Sequence, residues 1–430
     1  MTPNFGRRLW LTLLNRRFRT VLLAMALVPI ATRYAESTVV TQLMHPIRGD
    51  FLEVYVAGAK VLASGGDPYS SCLSTNCYVV LQNGWWFYPP AVLWLFQPLT
   101  RVGDNVANLI AVFGAQLCVA VFLWVMARAM NVRDWQVIAL WILAVISFPP
   151  VMSEVAEGNL QILLLAISAA WFAGWLAGDR WWAGAALGAG LALKLVQAPL
   201  LVIAAWSRRF RAAIAAALTL SVVWLVGAPQ YLVEYLVRIL PAVSIGTGGP
   251  MNVSTFAVVA RLLHPGSLYG YGTGMDTTVR VIGYAVAATA VVTTALVLRA
   301  PREDRDGRAL EVAAAVAVSP LLVAEVRPGQ LLLLLLPMMV LGTIAMRRGD
   351  WRLGAAVAAS WALIGPGYLW ASNALAAGLA WPLLRLTAET AFVGTLILWL
   401  ASLQALRIHA PAVEDGAVTA NRSAIGSIYT

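Results

Sequence analysis

Asp50 is the first residue in this sequence whose type and position suggest chemistry. It follows the first apolar run and opens an amphipathic stretch at 50–63 that is typical of a helix lying at a membrane interface. A carboxylate near a membrane surface can act as a general base that takes the proton of an attacking hydroxyl. An acid at the start of a helix also stabilises the helix dipole, so both interpretations of Asp50 stay open. Under the first interpretation, Glu53, one turn later, shares the role of Asp50 or orients the site.

Two cations lie within or between apolar stretches, a position that would place them at membrane depth. Lys194 lies in the middle of a long apolar stretch, and Arg327 lies between two apolar runs. Charges at this depth are costly, so they are expected either to be paired or to serve function. Lys194 therefore pairs with Glu154 or Glu157, extends its charge to the membrane surface, or contacts the phosphate of a bound lipid. Arg327 has the same interpretations, with Glu325 as its orienting partner.

The remaining candidates are aromatic or polar side chains that could contact a sugar or a lipid head group. Tryptophan and tyrosine also form interfacial belts, so the aromatic members fit a second role as membrane anchors. Among the polar members, Asn159 and Gln161 belong to a polar notch at the outer end of an apolar helix, whereas His264 is isolated in the sequence. The candidates are Tyr55, Trp85, Trp86, Tyr88, Asn159, Gln161 and His264.

The elements that position these residues follow from the composition. The 430 residues are 60% apolar and 12% charged, with a mean hydropathy of +0.76. Soluble domains are about half apolar and about a quarter charged, so the composition excludes a disordered chain and argues against a soluble enzyme. The 30 Lys and Arg residues exceed the 20 Asp and Glu residues, but most of the excess lies in short segments between apolar runs. Charge in these segments sets topology, and no nucleic-acid partner is expected.

The spacing of the apolar runs predicts an all-α polytopic membrane protein with about twelve transmembrane helices. The stretch at 181–206 is predicted to cross and return as two short helices that meet near Lys194. This fold-back keeps the arginines on both sides of the stretch on one face. That face is cytoplasmic by the positive-inside rule, and both termini are then cytoplasmic.

The predicted divisions of the chain are a cytoplasmic N-terminal segment, a transmembrane domain with two long outer loops, and a cytoplasmic tail that we expect to be disordered. Their bounds are 1–19, 20–407 (outer loops at about 37–104 and 229–276) and 408–430. The first outer loop contains the interfacial helix. It also contains Cys72 and Cys77, which could bridge in an oxidising compartment or stay free.

The sequence has no GxxxxGK[ST], HExxH, GxSxG or CxxC motif, and its three histidines are too scattered to suggest a metal cage. We therefore expect no cofactor and no metal site. A secondary transporter is an alternative of similar size. Transporters typically carry inverted repeats and binding charges near the midplane, whereas no repeat is visible here and the candidate charges lie near one face.

Several motifs together resemble glycosyltransferase family 87, a group of GT-C-type membrane enzymes found prominently in mycobacteria and their relatives. The motifs are DFxxxYxxxAxxLxxGGDPY from Asp50, then FYPP, EGNLQILLL, and AGAALGAGLALKLVQAPLL followed by SRRFR. The resemblance covers roughly residues 48–211, with the NVS and RPGQ segments as looser similarities.

The resemblance implies a GT-C-like bundle in the plasma membrane that transfers a sugar from a polyprenyl-phosphate donor on the extracytoplasmic side. It implies that Asp50 is the catalytic carboxylate and that Lys194 is the family's conserved lysine. The residue-level interpretation agrees, and it adds Arg327 to Lys194 as a second cation that binds the donor phosphate. We expect a mannosyl donor and a glycolipid or lipoglycan acceptor of the phosphatidylinositol mannoside or lipomannan type, and a monomeric protein. Polyprenyl-phosphate arabinose as the donor is the alternative within the family.

Overall fold

The computed structural model describes residues 16–45, 48–69, 88–244, 246–249, 252–264, 275–299, 302–367, 369 and 389–409. Within these ranges the chain forms helices and no strand, which confirms the predicted all-α class. The longer helices are α1 (Arg16–Ala35), α2 (Ala57–Ala63), α3 (Pro90–Phe96), α4 (Asp104–Ala129), α5 (Trp135–Ile146), α6 (Pro149–Glu157), α7 (Gln161–Leu176), α8 (Trp181–Leu193), α9 (Ala198–Trp206), α10 (Phe210–Val226), α11 (Thr255–Leu263), α12 (Thr277–Val297), α13 (Arg305–Leu322), α14 (Leu335–Arg348), α15 (Trp351–Ile364) and α16 (Thr390–His409). Shorter helical segments lie at Glu36–Val40, Thr41–Met44, Arg48–Val56, Gln97–Arg101, Leu195–Gln197, Pro229–Tyr231, Leu232–Glu234, Tyr235–Ile239, Leu240–Val243 and Pro328–Leu334.

Four helical segments are long and apolar enough to cross a bilayer: α4, α12, Gly329–Arg348 and α16. The bent pair α5–α6 and the bent pair formed by α10 with Pro229–Val243 raise this number to six if each pair is one span. Several other apolar helices, including α7, α8 and α15, are 10–17 residues long. The described residues therefore form a membrane-embedded helical protein, and the twelve crossings stay a prediction. The stretch at 50–63 is helical, as predicted, and its location at an interface also stays a prediction.

Helices α8 and α10 run parallel and touch through glycine. A Cβ atom added to Gly184 would lie 2.0 Å from the carbonyl oxygen of Ala212. A Cβ atom added to Gly188 would lie 2.3 Å from the carbonyl oxygen of Ala216. From the first contact to the second, the residue numbers rise by four on both helices, so the two helices point in the same direction. The chain between them must therefore return.

The return occurs at Lys194. Helix α8 ends at Leu193, Lys194 has an extended backbone (φ −158°, ψ 121°), and α9 then leads back. At the other end, the Asp179 carboxylate accepts hydrogen bonds from the backbone N–H groups of Arg211 (3.0 Å) and Ala212 (2.8 Å), so the start of α10 lies beside the start of α8. The predicted fold-back of this stretch around Lys194 is confirmed.

Arginines cluster at the end of the bundle where α8 begins, and we call it the arginine-rich end. Arg305 donates to the carbonyl oxygen of the last residue of α4 at 2.8 Å, and Arg308 donates to that of the last residue of α7 at 3.0 Å. Cations near helix C-termini satisfy free carbonyl groups and the helix dipole. Arg209 pairs with the buried Glu311 at 3.2 Å, which joins the start of α10 to α13. Because α4 and α7 end here, their first residues lie at the opposite end, which we call the site end.

Candidate functional site

Asp50 lies at the site end, on the helical segment Arg48–Val56. The segment is kinked at Gly49, whose backbone is not helical (φ −43°, ψ −140°). A Cβ atom added to Gly49 would lie 3.3 Å from both the Cα and the carbonyl oxygen of Glu157 at the end of α6. Glycine therefore lets the backbone before Asp50 pack directly on α6.

The carboxylate of Asp50 is held by one of its two oxygens. Oδ2 accepts a hydrogen bond from the Tyr88 hydroxyl at 3.2 Å and another from the side-chain amide of Asn159. Oδ1 accepts no hydrogen bond from any residue that the structure describes. The side chain is partly exposed, so this oxygen can take a proton from a bound hydroxyl.

Tyr88 is buried among aromatic side chains that fix its hydroxyl toward Asp50. Its ring lies 5.0 Å from the ring of Tyr55, in a T-shaped arrangement, and Tyr55 stacks on Phe96 at 4.9 Å. The hydroxyl of Tyr69 donates to the carbonyl oxygen of Tyr88 at 2.7 Å. Burial raises the pKa of Tyr88 well above its usual value, and the negative charge of Asp50 raises it further. The phenol is therefore protonated at neutral pH and donates to the carboxylate.

Asn159 is held by hydrogen bonds of its backbone N–H and of both polar atoms of its side-chain amide. Gly158 has a left-handed backbone (φ 64°) that ends α6, and the N–H of Asn159 donates to the carbonyl oxygen of Glu154 at 2.9 Å. Its Oδ1 accepts from the N–H of Gln161 at 3.1 Å, at the start of α7, while its Nδ2 donates to Asp50. The predicted polar notch therefore orients the carboxylate of Asp50.

Lys194 extends from the break after α8 toward the same cluster. Its Nζ lies 5.4 Å from the centre of the Tyr88 ring, in a cation–π contact. It interacts electrostatically with Glu154 most strongly, then with Asp50 and Arg327. In the part of the chain that the structure describes, Lys194 forms no ion pair, so the sequence-based alternative of a direct pair with Glu154 is not observed.

Arg327 is oriented by Glu325, in agreement with the sequence-based expectation. Arg327 Nε lies 3.0 Å from Glu325 Oε1. The other oxygen of Glu325 accepts hydrogen bonds from the backbone N–H of Thr247 at 3.0 Å, from its hydroxyl at 3.1 Å and from the amide of Asn252 at 2.9 Å. Burial raises the pKa of Glu325, and the charge of Arg327 opposes this rise. Glu325 thus connects Arg327 to the segment that contains Thr247 and Asn252.

The other predicted site residues take different positions. Tyr55 supports Tyr88 and accepts a hydrogen bond from the N–H of Leu160 at 3.4 Å. Glu53 is exposed on the segment that carries Asp50, and the structure does not bring it into the cluster. His264 pairs with Asp276 at 2.8 Å on a surface where its side chain is 41% exposed. Trp85, Trp86, Cys72 and Cys77 lie outside the described residues, as do most of 1–19 and nearly all of 408–430.

Asn252 has a role that sequence reasoning did not assign, and Glu154 joins the cluster without the ion pair that the sequence offered as one alternative. Asn252, from the NVS segment, donates to the carbonyl oxygen of Ala324 at 2.9 Å and accepts from the N–H of Val326 at 2.9 Å, so it holds the loop before Arg327. Glu154 enters the cluster as a buried carboxylate of α6. The NVS motif was a signal for Asn252, and the sequence analysis had already named Glu154 as a possible partner of Lys194.

The arrangement offers a carboxylate with one available oxygen, and Lys194 interacts electrostatically with both this carboxylate and Arg327. No group of three or more potential metal ligands (His, Cys, Asp or Glu) occurs among the residues described here. A base beside two cations suits the attack of a hydroxyl on a carbon that carries a phosphate leaving group, since the base takes the proton and the cations stabilise the departing charge.

Comparison with known proteins identifies the family. Residues 86–324 match the model of glycosyltransferase family 87, which is more than half of the chain. No curated protein matches the sequence. The matched region contains Lys194, Asn159 and Asn252, whereas Asp50 and Arg327 lie on either side of it. The chain belongs to glycosyltransferase family 87, as the sequence motifs indicated.

Proposed function

We propose that this membrane glycosyltransferase moves a mannosyl residue from a polyprenyl-phosphate donor to a glycolipid or lipoglycan acceptor of the phosphatidylinositol mannoside or lipomannan type. The observation that carries the proposal is the open Oδ1 of Asp50 beside Lys194, a lysine without an ion pair among the described residues. Family membership supports a lipid-linked sugar as the donor. The choice of mannose rests on the sugar specificities that the sequence resemblance implies.

The chemistry follows in one inverting displacement. Asp50 takes the proton of the acceptor hydroxyl while the acceptor oxygen forms a bond to the anomeric carbon. The bond between that carbon and the phosphate oxygen breaks, and polyprenyl phosphate leaves with the electron pair. This parallels inverting glycosidases, with the acceptor hydroxyl in place of water. Lys194 and Arg327 stabilise the negative charge that builds on the leaving phosphate.

A small apolar cavity at the break after α8 supports a donor with a lipid tail. It is lined by side chains from the break after α8, from the second half of α13 and from the loop that follows Arg327. Val196 lies two residues beyond Lys194, and Val326 immediately precedes Arg327. The chain next to each cation therefore contributes apolar surface, which suits a donor with a lipid tail.

The distribution of charge supports an extracytoplasmic site. The arginines that bind helix ends lie at the arginine-rich end, which the positive-inside rule makes cytoplasmic. Thr20, near the start of α1, bonds to Gln136 at the start of α5, and His409 at the end of α16 pairs with Asp304, so both described termini belong to that end. The cluster around Asp50 lies at the other end. Charges at one end, rather than at the midplane, also favour a transferase over a secondary transporter.

A membrane assay tests the proposal. Membranes with the protein are offered decaprenyl-phosphate mannose or decaprenyl-phosphate arabinose together with candidate glycolipids. We expect mannose transfer by the wild type, none by Asp50→Ala, and unchanged transfer by Asp104→Asn, a matched control whose exposed carboxylate pairs with Lys60. Transfer of arabinose alone would show that the donor sugar is arabinose and not mannose. Wild-type turnover by Asp50→Ala would reject the mechanism.

A further inference from the structure

The buried carboxylate of Glu154 lacks a hydrogen-bond partner for one oxygen. Glu154 is 6% exposed, and its Oε2 accepts no hydrogen bond from the residues that the structure describes. A Cβ atom added to Gly329 would lie 1.9 Å from Oε1, so the carboxylate lies directly on the glycine. Buried polar atoms are normally hydrogen-bonded, and leaving one without a partner is costly. Glu154 therefore needs a donor that a ligand can supply.

The charges around Glu154 indicate which kind of ligand group fits. Asp50 and Glu157 are acids that repel it, and Lys194 attracts it without forming an ion pair in the described structure. Lys194 and Arg327 are the cations of the cluster, so the donor phosphate belongs with them. A neutral hydroxyl can donate to the open oxygen of Glu154 and adds no negative charge beside Asp50 and Glu157.

Gln161 provides a second, independent indication. It is 1% exposed, and neither its side-chain oxygen nor its side-chain nitrogen has a hydrogen-bond partner in the described part of the chain. Its backbone N–H binds Asn159, whose amide holds Asp50, so Gln161 is fixed close to the base. An amide both donates and accepts, and a hydroxyl is a small group that can satisfy both roles.

We propose that Glu154 and Gln161 bind ring hydroxyls of the transferred sugar and thereby determine which donor the enzyme accepts. This inference rests on the proposed function, because it takes the sugar to lie between Asp50 and the cations that hold the phosphate. Glu154 accepts a hydrogen bond from one hydroxyl, and Gln161 pairs with another or with the same one. A sugar that lacks the matching hydroxyl leaves a buried group without a partner, which is a strong basis for discrimination.

The test combines enzyme variants with donors that each lack one hydroxyl. The donor that the wild type uses is compared with its monodeoxy forms, and kcat/KM is measured for the wild type, Glu154→Ala and Gln161→Ala. For one deoxy donor we expect a loss of about 10- to 100-fold in the wild type, the range for hydrogen bonds to charged groups. In Glu154→Ala that same donor and the full sugar should react at nearly equal rates, while the other deoxy donors keep their losses. Glu154→Gln retains an acceptor oxygen and should retain part of the discrimination.

The outcomes separate this inference from the proposed function. Absence of transfer by the wild type from every polyprenyl-phosphate sugar would overturn the proposed function itself. Transfer with the same deoxy losses in wild type and variants would overturn this inference and make Glu154 only a counter-ion of Lys194. If Glu154→Ala does not fold, Gly329→Ala serves instead, because its methyl group must displace the carboxylate. The loss of discrimination is then expected in Gly329→Ala, and its absence there counts against the inference.

Discussion

Replacing Lys194 with methionine removes the ammonium group and keeps a side chain of similar length. The side chain emerges at the break between α8 and α9, where its charge interacts with Glu154, Asp50 and Arg327. Because no described carboxylate forms an ion pair with Lys194, the replacement breaks no salt bridge. The main expected effect is therefore on the phosphate of the donor and not on the fold.

The size of the effect follows from the charge that the phosphate carries. A unit charge pair at about 4 Å and an effective dielectric of about 20 interacts by about 4 kcal/mol, and hydrogen bonds to charged groups contribute a net of about 1.5–3 kcal/mol. The phosphate carries one negative charge in the donor and two after the sugar has left. Part of the interaction with Lys194 therefore exists in the bound donor and a similar part appears only as the bond breaks. We expect KM for the donor to rise and kcat to fall, each by about 10- to 150-fold.

The measurement is initial-rate kinetics with the donor varied in detergent-solubilised enzyme. Lys60→Met is the matched control, because Lys60 is the other lysine of the chain and its 49%-exposed side chain pairs with Asp104 at 3.0 Å. The control should leave both constants unchanged. A rise in KM with kcat intact would show that Lys194 binds the donor equally in the ground and transition states. Unchanged constants in Lys194→Met would refute its role at the phosphate.

Three further changes test other parts of the structure. Tyr88→Phe removes the hydroxyl that donates to Asp50 and should lower kcat about 10-fold. Burial and the nearby carboxylate hold the pKa of Tyr88 well above its usual value, so the ratio of wild-type to variant kcat should stay constant between about pH 6 and 9. Gly188→Val inserts side-chain atoms where an added Cβ atom would lie only 2.3 Å from the backbone of α10, so thermal unfolding in detergent should show a loss of at least about 1–3 kcal/mol. Glu311→Gln leaves the buried guanidinium of Arg209 without its acid and should cost about 3 kcal/mol of stability, with donor KM unchanged and partial recovery in the double variant with Arg209→Met.

The features that the sequence predicted correctly involve charges within apolar surroundings. Arginines flank the apolar stretch at 181–206 on both sides and favour one face, so the break of the helix at Lys194 could be deduced from the distribution of charge. The pair of Glu325 and Arg327 could be deduced in the same way, because the two residues are close in the chain and opposite in charge. The all-α class followed from the need to satisfy backbone groups within lipid.

Contacts between distant segments could not be predicted. Asn159 lies 109 residues from Asp50, and Asn252 lies 73 residues from Glu325. Neither pair shares a pattern in the sequence, since hydrogen bonds depend on which helix ends the fold brings together. Helix lengths were hard to predict for a related reason. Helices such as α8, with 13 residues, are too short to be recognised as spans individually, and their role depends on the neighbours against which they pack.

The cluster around Asp50 uses charge differently from the arginine-rich end, and this difference makes the cluster a candidate active site. At the arginine-rich end, Arg209 is paired with an acid, and Arg305 and Arg308 bind helix C-termini, so these charges stabilise the fold. At the site end, Asp50 keeps an oxygen available and Lys194 stays unpaired among the described residues, although acids lie near it. Keeping opposite charges close but apart costs stability, because an ion pair would form if the backbone allowed it. The kink at Gly49 and the break after α8 hold them in this arrangement, which a lipid-linked sugar between base and cation would complete.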